Sequence, residues 1–156
     1  MAQYASSTTV KPEKSRQEIE ATLKRYGATH FGYGASPLSA VIAFQANNRT
    51  IRFTLPLPAL KDFVDYKHSR SGNWNKRKPR LAESLYDKAC RQRWRALALA
   101  IKAKLEAVNS SISTFEEEFM AQIVLPNGQT MGEHALPYVE EAYTKKKMPP
   151  LLGFGL

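Results

Sequence analysis

The sequence has few of the residues that mark an oxidised or membrane-bound protein. Its 156 residues include one cysteine, Cys90, which excludes an intramolecular disulfide and fits a reducing compartment. No apolar run approaches the roughly 18 residues that a membrane-spanning helix needs. The first residues, MAQYASSTTVKPEK, lack the apolar core of a signal peptide. The sequence therefore predicts a cytoplasmic protein without a membrane segment.

Residues that bind metals or perform catalysis are also scarce. The histidines His30, His68 and His134 are far apart, and none has a second histidine or cysteine at zinc-site spacing. The acidic run at residues 116–118 would point to different sides of a helix and cannot converge on one ion. We therefore expect no catalytic residue, no metal and no cofactor. An enzyme such as a nuclease would need carboxylates from separate segments: Asp62, Asp65, Glu83 and Asp87.

Positive charge is concentrated in one quarter of the chain. The net charge is +9, and residues 67–104 contain twelve Lys or Arg and two acids, a net +10. The rest of the chain has eleven bases and twelve acids, a net −1. Such clustering is typical of proteins that bind a polyanion, and nucleic acid is the commonest one in the cytoplasm. A basic surface that serves only solubility is the alternative.

The segment Arg80–Asn109 predicts a long amphipathic helix, because it contains neither Gly nor Pro. Apolar residues recur along one side with the spacing of a buried helix face: Tyr86, Cys90, Trp94, Leu97, Ile101, Leu105 and Val108. Basic residues share another side, over roughly 21 Å of helix axis: Lys88, Arg91, Arg95 and Lys102. We expect one side to pack against a core and the other to present a row of positive charge.

Residues 12–145 predict a single α+β domain, preceded by a flexible N-terminus (residues 1–11) and followed by a tail (residues 146–156). The patterns indicate a first helix from Ser15, which forms a capping box with Glu18, to Tyr26. They then indicate strands at Thr29–Tyr33, Ala40–Gln45 and Thr50–Leu55, turns at Gly34–Pro37 and Asn47–Asn48, and late helices capped by Thr114 and Thr130. The predicted order is α-β-β-β-α followed by two shorter helices, with a small three-stranded antiparallel sheet backed by the long helix.

Residues 61–79 predict a long basic loop, and loops of this length are usually functional or disordered. Trp74 has no apolar neighbours in SGNWNKRK, so its ring suits stacking on an unpaired base, with Tyr66 as a second stacking residue. A tryptophan that anchors the loop against the sheet is the alternative. The candidate nucleic-acid-binding residues are Lys67, Arg70, Trp74, Lys76, Arg77, Lys78 and Arg80, continued along the helix by Lys88, Arg91, Arg95 and Lys102.

Two stretches carry a resemblance to a known family. Ala43–Pro58 (AFQANNRTIRFTLPLP) and Cys90–Pro137 (from CRQRWRALALAIKAKLEAV to STFEEEFMAQIVLPNGQTMGEHALP) resemble a family of small proteins from tailed bacteriophages and prophages in which no catalytic motif is known. The resemblance implies a role in phage biology in the cytoplasm of the bacterial host, and it carries over no site residues. The predicted order of elements is also similar to double-stranded-RNA-binding domains and to a class of single-strand annealing proteins, as a fold-level analogy.

Two functions are consistent with these features. The first is a non-enzymatic nucleic-acid-binding protein with low sequence specificity, acting in phage DNA replication or recombination. The second is a phage counter-defence protein that binds and inhibits a host complex of the restriction or CRISPR type. The sequence does not separate DNA from RNA or single from double strands. It also leaves open a homo-oligomer joined through the apolar tail Leu151–Leu156.

Overall fold

The computed structural model describes residues 8–148, which form an α+β domain. In chain order the elements are α1 (Pro12–Arg25), β1 (Thr29–Ser36), β2 (Ser39–Ala46), β3 (Arg49–Pro56), α2 (Lys61–Val64), β4 (Asp65–Lys67), β5 (Trp74–Lys76), α3 (Pro79–Asn109), α4 (Phe115–Phe119), a 3₁₀ turn (Met120–Gln122) and α5 (Met131–Lys145). The predicted order is confirmed, with α2, β4 and β5 inserted before the long helix. Within residues 8–148, no helix is both long and apolar enough to cross a membrane.

β1, β2 and β3 form an antiparallel sheet in that order, as predicted. The turn between β2 and β3 consists of Asn47 and Asn48, whose φ angles of 49° and 59° lie in the left-handed region that asparagine tolerates. Alternate residues of β2 and β3 are buried on one face: Ala40, Ile42, Phe44, Ile51, Phe53 and Leu55. The residues between them are exposed or half-buried, so the sheet has one packed face and one solvated face.

Phe44 lies at the centre of the core. Its ring contacts those of Phe31, Phe53 and Phe119, with centroid separations of 6.4, 6.5 and 6.4 Å. The helices α1 and α3 pack on each other and complete this core with Ile19, Leu23, Trp94, Ala98, Ile101 and Leu105. The sheet, both helices and α4 thus share one apolar core, to which α3 contributes residues from its second half.

The long helix α3 has 31 residues and begins at Pro79, one residue before its predicted start. Trp94, Ile101 and Leu105 of the predicted stripe are buried. The other residues of the stripe are half-buried: Tyr86, Cys90, Leu97 and Val108. The prediction of one core-facing side is therefore confirmed.

The predicted start of the first helix is wrong. Helix α1 begins at Pro12, where the fixed φ of proline suits the first turn. Ser15 therefore lies within the helix and is fully buried, and it does not act as the cap. The first strand is also longer than predicted, because β1 continues through the predicted turn to Ser36.

Residues 61–79 are not a structureless loop, which corrects the prediction. They form the short helix α2 and a two-stranded hairpin made of β4 and β5. After α5, Lys146 has a left-handed φ of 51° and ends the helix. Residues 1–7 of the predicted flexible N-terminus and residues 149–156 of the predicted tail lie outside the described part of the chain.

Candidate nucleic-acid interface

The hairpin at residues 65–76 is the structural basis of the candidate interface. β4 and β5 pair antiparallel, with Lys67 directly opposite Trp74. The connecting turn is closed by a hydrogen bond of 2.8 Å, which the backbone N–H of His68 donates to the carbonyl of Asn73. The basic segment is thus held in a defined conformation by backbone hydrogen bonds.

The register of the hairpin places Trp74 and Tyr66 on opposite faces, because side chains alternate along a strand. Trp74 shares its face with Lys67, its cross-strand neighbour, and with Lys76, two residues further on. We call this the Trp74 face. The side chain of Trp74 is 71% exposed, so it is not the buried anchor that was the alternative interpretation of the sequence. Its indole is open to solvent between two ammonium groups.

The other face of the hairpin is used for packing. The guanidinium of Arg77 lies over the ring of Tyr66, 4.8 Å from its centroid. Arg77 Nη1 also donates hydrogen bonds to the carbonyl oxygens of Phe63 (2.8 Å) and Asp65 (3.2 Å). The guanidinium therefore fastens the hairpin to α2. Tyr66 therefore lies on the opposite face from Trp74, with Arg77 over its ring, and Arg77 contacts the hairpin and α2 instead of facing solvent.

Helix α2, which leads into the hairpin, is joined to α3 by apolar contacts. The rings of Phe63 and Tyr86 meet at a steep angle, with centroids 6.3 Å apart, and the buried Ala82 of α3 lies near Leu60 and Val64. A hydrogen bond with the Cys90 side chain, together with the charge and burial around it, raises the pKa of Tyr86. The hairpin is thereby anchored at one end while the Trp74 face remains open.

Five exposed basic side chains lie on the hairpin and at the start of α3: Lys67, Arg70, Lys76, Lys78 and Arg80. Within residues 8–148 none of them forms an ion pair. The backbone at Arg70 is fixed in the turn, where its N–H donates to His68 Nδ1 at 3.3 Å. These five residues are exposed cations without an ion-pair partner in residues 8–148, and two of them, Lys67 and Lys76, share the face of Trp74.

The row of bases predicted along α3 is only partly available. Lys88 and Lys102 are exposed, whereas Arg91 is half-buried. Arg95 is paired with the carboxylate of Glu18 on α1. Because Lys102 also lies about 33 Å along the axis from the start of the helix, the free positive charge is concentrated at the hairpin end of α3.

One residue on the Trp74 face is absent from the sequence-based set. Asp65 lies opposite Lys76 in the register and adds one negative charge to this face. Asp65, Trp74, Asn75 and Lys76 line an open hollow on the hairpin. The side chain of Asn75 belongs to the other face, because Asn75 is the register partner of Tyr66.

The acids that a metal-dependent nuclease would need do not cluster. Among residues 8–148, no group of three or more His, Cys, Asp or Glu side chains is placed to hold a metal ion. The sequence offered four carboxylates for such a site: Asp62, Asp65, Glu83 and Asp87.

The fold and the site define an α+β protein with a helix-backed antiparallel sheet and a basic, tryptophan-bearing hairpin at one end of its longest helix. No family model, curated protein or solved structure matches the chain.

Proposed function

We propose that this protein is a non-enzymatic nucleic-acid-binding protein that binds single strands with low sequence specificity. The exposed indole of Trp74, between Lys67 and Lys76 on an ordered hairpin, supports this most directly. Stacking on an indole is worth about 1–3 kcal/mol per base and is open to every base. Double strands offer no unpaired base to such a ring except at their ends, so the Trp74 face favours single strands.

The five free cations supply the contacts to phosphate. For single-stranded nucleic acid, the logarithm of the binding constant falls with the logarithm of the salt concentration, with a slope of about −0.7 per neutralised phosphate. Five contacts therefore correspond to a slope of about −3.5. This slope is smaller than the full basic row would produce, because Arg77 and Arg95 are engaged within the protein. The proposed binding is therefore salt-dependent, with a smaller slope than the total number of basic residues would give.

Sequence preference should be weak. Beside the indole, the Trp74 face carries only the charged side chains of Lys67, Lys76 and Asp65, whereas specific reading of bases requires several groups arrayed along a groove. The resemblance of the sequence to phage proteins supports DNA as the polymer and phage DNA replication or recombination as the setting.

The test is fluorescence anisotropy with labelled single- and double-stranded DNA of one sequence, between about 50 and 200 mM salt. We expect the single strand to bind more tightly. Trp74→Ala should weaken single-strand binding about 5- to 150-fold, which corresponds to the loss of one stacking contact. Trp74→Phe should retain part of the affinity, because a smaller ring still stacks.

Arg49→Ala is the matched control for charge. Arg49 is exposed, but it begins β3, at the opposite end of that strand from the segment leading to the hairpin. Lys76→Ala should reduce the magnitude of the salt slope by about 0.7, while Arg49→Ala should leave it unchanged. The absence of binding at about 50 mM salt would contradict the proposal. The positive charge would then serve a protein partner, as in inhibition of a host defence complex.

A further inference from the structure

The two edges of the three-stranded sheet differ. The outer edge of β3 is covered near its start, where Ile51 forms an antiparallel bridge with Ile123 and the N–H of Val124 donates to the carbonyl of Thr50 at 2.8 Å. The outer edge of β1 pairs with no strand in the described part of the chain. Half of its backbone N–H and C=O groups therefore point away from the sheet, ready to pair with another strand.

β1 has almost none of the features that prevent an edge from pairing. Its sequence, THFGYGAS, contains no Lys, Arg, Asp, Glu or Pro. A bulge interrupts the ladder between Thr29 and Gly32, where His30 has a φ of 53°. Beyond the bulge, the register with β2 is unbroken from Gly32 to Ser36. Five consecutive residues thus form a regular, uncharged edge.

There is also space beside β1 on the helix side of the sheet. Ile42 and Ala40 of β2 are 0% and 1% exposed. Their direct partners on β1, Tyr33 and Ala35, lie on the same face, yet Tyr33 is 39% exposed and Ala35 is also exposed. The helices therefore cover β2 more completely than β1. Helix α1 does reach β1, because the Tyr33 hydroxyl donates to Glu20 Oε2 at 3.2 Å.

We propose that β1 is a homodimer interface, at which the β1 strands of two copies pair antiparallel and join two three-stranded sheets into one of six strands. A two-fold axis at Gly34, the midpoint of the regular segment, pairs Gly34 with its counterpart and Tyr33 with Ala35 of the second copy. A large side chain then lies beside a small one on the helix side, and only glycine lies at the centre of the other side. Because the two strands are identical, the pairing of Tyr33 with Ala35 occurs twice, once on each side of the axis, as a closed two-fold interface requires.

A second copy is a better occupant than other strands of this protein. β4 and β5 have only three residues each and include Lys67, Lys76 and Asp65. Their charges and short length disfavour pairing with an uncharged edge. Each copy has a net charge of +9, so two copies repel each other where their basic surfaces approach. The uncharged edge of β1 is a surface at which they can meet with less repulsion. Added salt should then strengthen the dimer while it weakens binding to nucleic acid.

The test introduces charge at the centre of the edge. The φ of Gly34 lies outside the left-handed region, and an added Cβ would meet only Val41, at 4.0 Å. Gly34→Lys and Gly34→Glu should therefore fold, which circular dichroism would check. Thr54→Lys is the matched control, since Thr54 is exposed, pairs with Val41 and lies in the same cross-strand row as Gly34, but on β3 at the other edge of the sheet.

Sedimentation velocity at low and high salt would give the mass in solution. We expect the mass of two chains for the wild type and for Thr54→Lys, and of one chain for each Gly34 variant alone, because like charges meet at the two-fold axis. An equimolar mixture of the Lys and Glu variants should restore the mass of two chains. A wild type that stays at one chain at both salt concentrations, a dimeric Gly34→Lys, or a mixture that fails to pair would each overturn the proposal.

Discussion

The guanidinium of Arg77 stacks on the ring of Tyr66, 4.8 Å from its centroid, and donates to two carbonyl groups at the base of the same hairpin. Arg77→Ala should therefore loosen the hairpin as a whole. We expect faster hydrogen exchange at the backbone amides of β4 and β5 and a loss of affinity for single-stranded DNA larger than that of Lys78→Ala. Hydrogen exchange followed by mass spectrometry measures the first effect, and anisotropy measures the second.

Arg77→Lys separates the two roles of this residue. It keeps the positive charge but cannot reproduce the planar, forked contacts of a guanidinium. If Arg77 acts by position, the lysine variant should resemble Arg77→Ala in hydrogen exchange. Wild-type exchange and affinity in Arg77→Lys would mean that the charge alone matters and that the stacking on Tyr66 is incidental.

The ion pair between Arg95 and Glu18 makes a different prediction for the long helix. The Arg95 side chain is 25% exposed and its charge is already compensated. Arg95→Ala should lower the free energy of unfolding by about 1 kcal/mol or less and leave the salt slope of DNA binding unchanged. Urea unfolding, with Glu18→Gln and the double variant to complete the cycle, measures the pair.

Lys88→Ala is the comparison for Arg95→Ala, because Lys88 is exposed on the same helix. If the bound strand extends along α3, this change should reduce the magnitude of the salt slope by about 0.7, with little effect on stability. An Arg95→Ala variant that changes the slope as much as Lys88→Ala would contradict the view that Arg95 is neutralised.

The stacked and edge-on rings around Phe44 predict a large stability effect. Phe44 is 1% exposed and Phe119 is fully buried, and their rings meet edge-on at 6.4 Å. Phe119→Ala should cost about 3–5 kcal/mol, because it opens a cavity between α4 and the sheet. Phe119→Leu, which fills more of that space, should cost clearly less. Equal losses in urea unfolding would show that the site collapses around the smaller residue.

Two capping boxes predict how stability responds to acid. The backbone N–H of Thr114 lowers the pKa of Glu117, with a further contribution from the Thr114 hydroxyl. The backbone N–H of Thr130 lowers the pKa of Glu133 in the same way, with help from Arg52. Because both pKa values lie below the unfolded value near 4.5, the boxes stabilise the protein above that pH, and the stabilisation is lost as pH falls through the folded pKa values.

The double variant Glu117→Gln/Glu133→Gln isolates this contribution. Its thermal unfolding temperature should be lower than that of the wild type at neutral pH, and the difference should shrink in acid, as the pH falls below the unfolded value near 4.5 and the wild-type carboxylates take up protons. Thermal melts followed by circular dichroism across that range provide the measurement. A difference that is independent of pH would mean that the carboxylate charge contributes nothing to the caps.

Local patterns predicted the regular part of the fold well. Thr130 and Glu133, three residues apart, indicated a cap that the structure contains, and Asn47-Asn48 indicated the turn that joins β2 to β3. The same kind of pattern failed at Ser15 and Glu18, because an earlier proline starts α1 and Ser15 is buried inside it. A capping box depends only on neighbouring residues, so it is reliable where no stronger start signal precedes it.

The hairpin could not be predicted in this way. The sequences of β4 (Asp-Tyr-Lys) and β5 (Trp-Asn-Lys) contain no aliphatic residue. They therefore lack the alternation of apolar and polar residues by which strands are recognised. The hairpin is joined to α2 by Arg77, whose partners Phe63 and Asp65 lie 14 and 12 residues earlier in the chain. Such contacts form only after the turn between β4 and β5 has brought the chain back on itself.

Periodicity and composition were enough to identify the core-facing side of α3 and the excess of positive charge, because both are local properties of the chain. Which aromatic ring faces solvent, and which cations remain unpaired, depends instead on how the segments fold together. Trp74 and Tyr66 are placed on opposite faces by the hairpin register, and Arg95 is neutralised by Glu18, a residue 77 positions away. Charge pairing and exposure depend on neighbours that only folding brings together, and the proposed surface therefore rests on the Trp74 face more than on the basic row of α3.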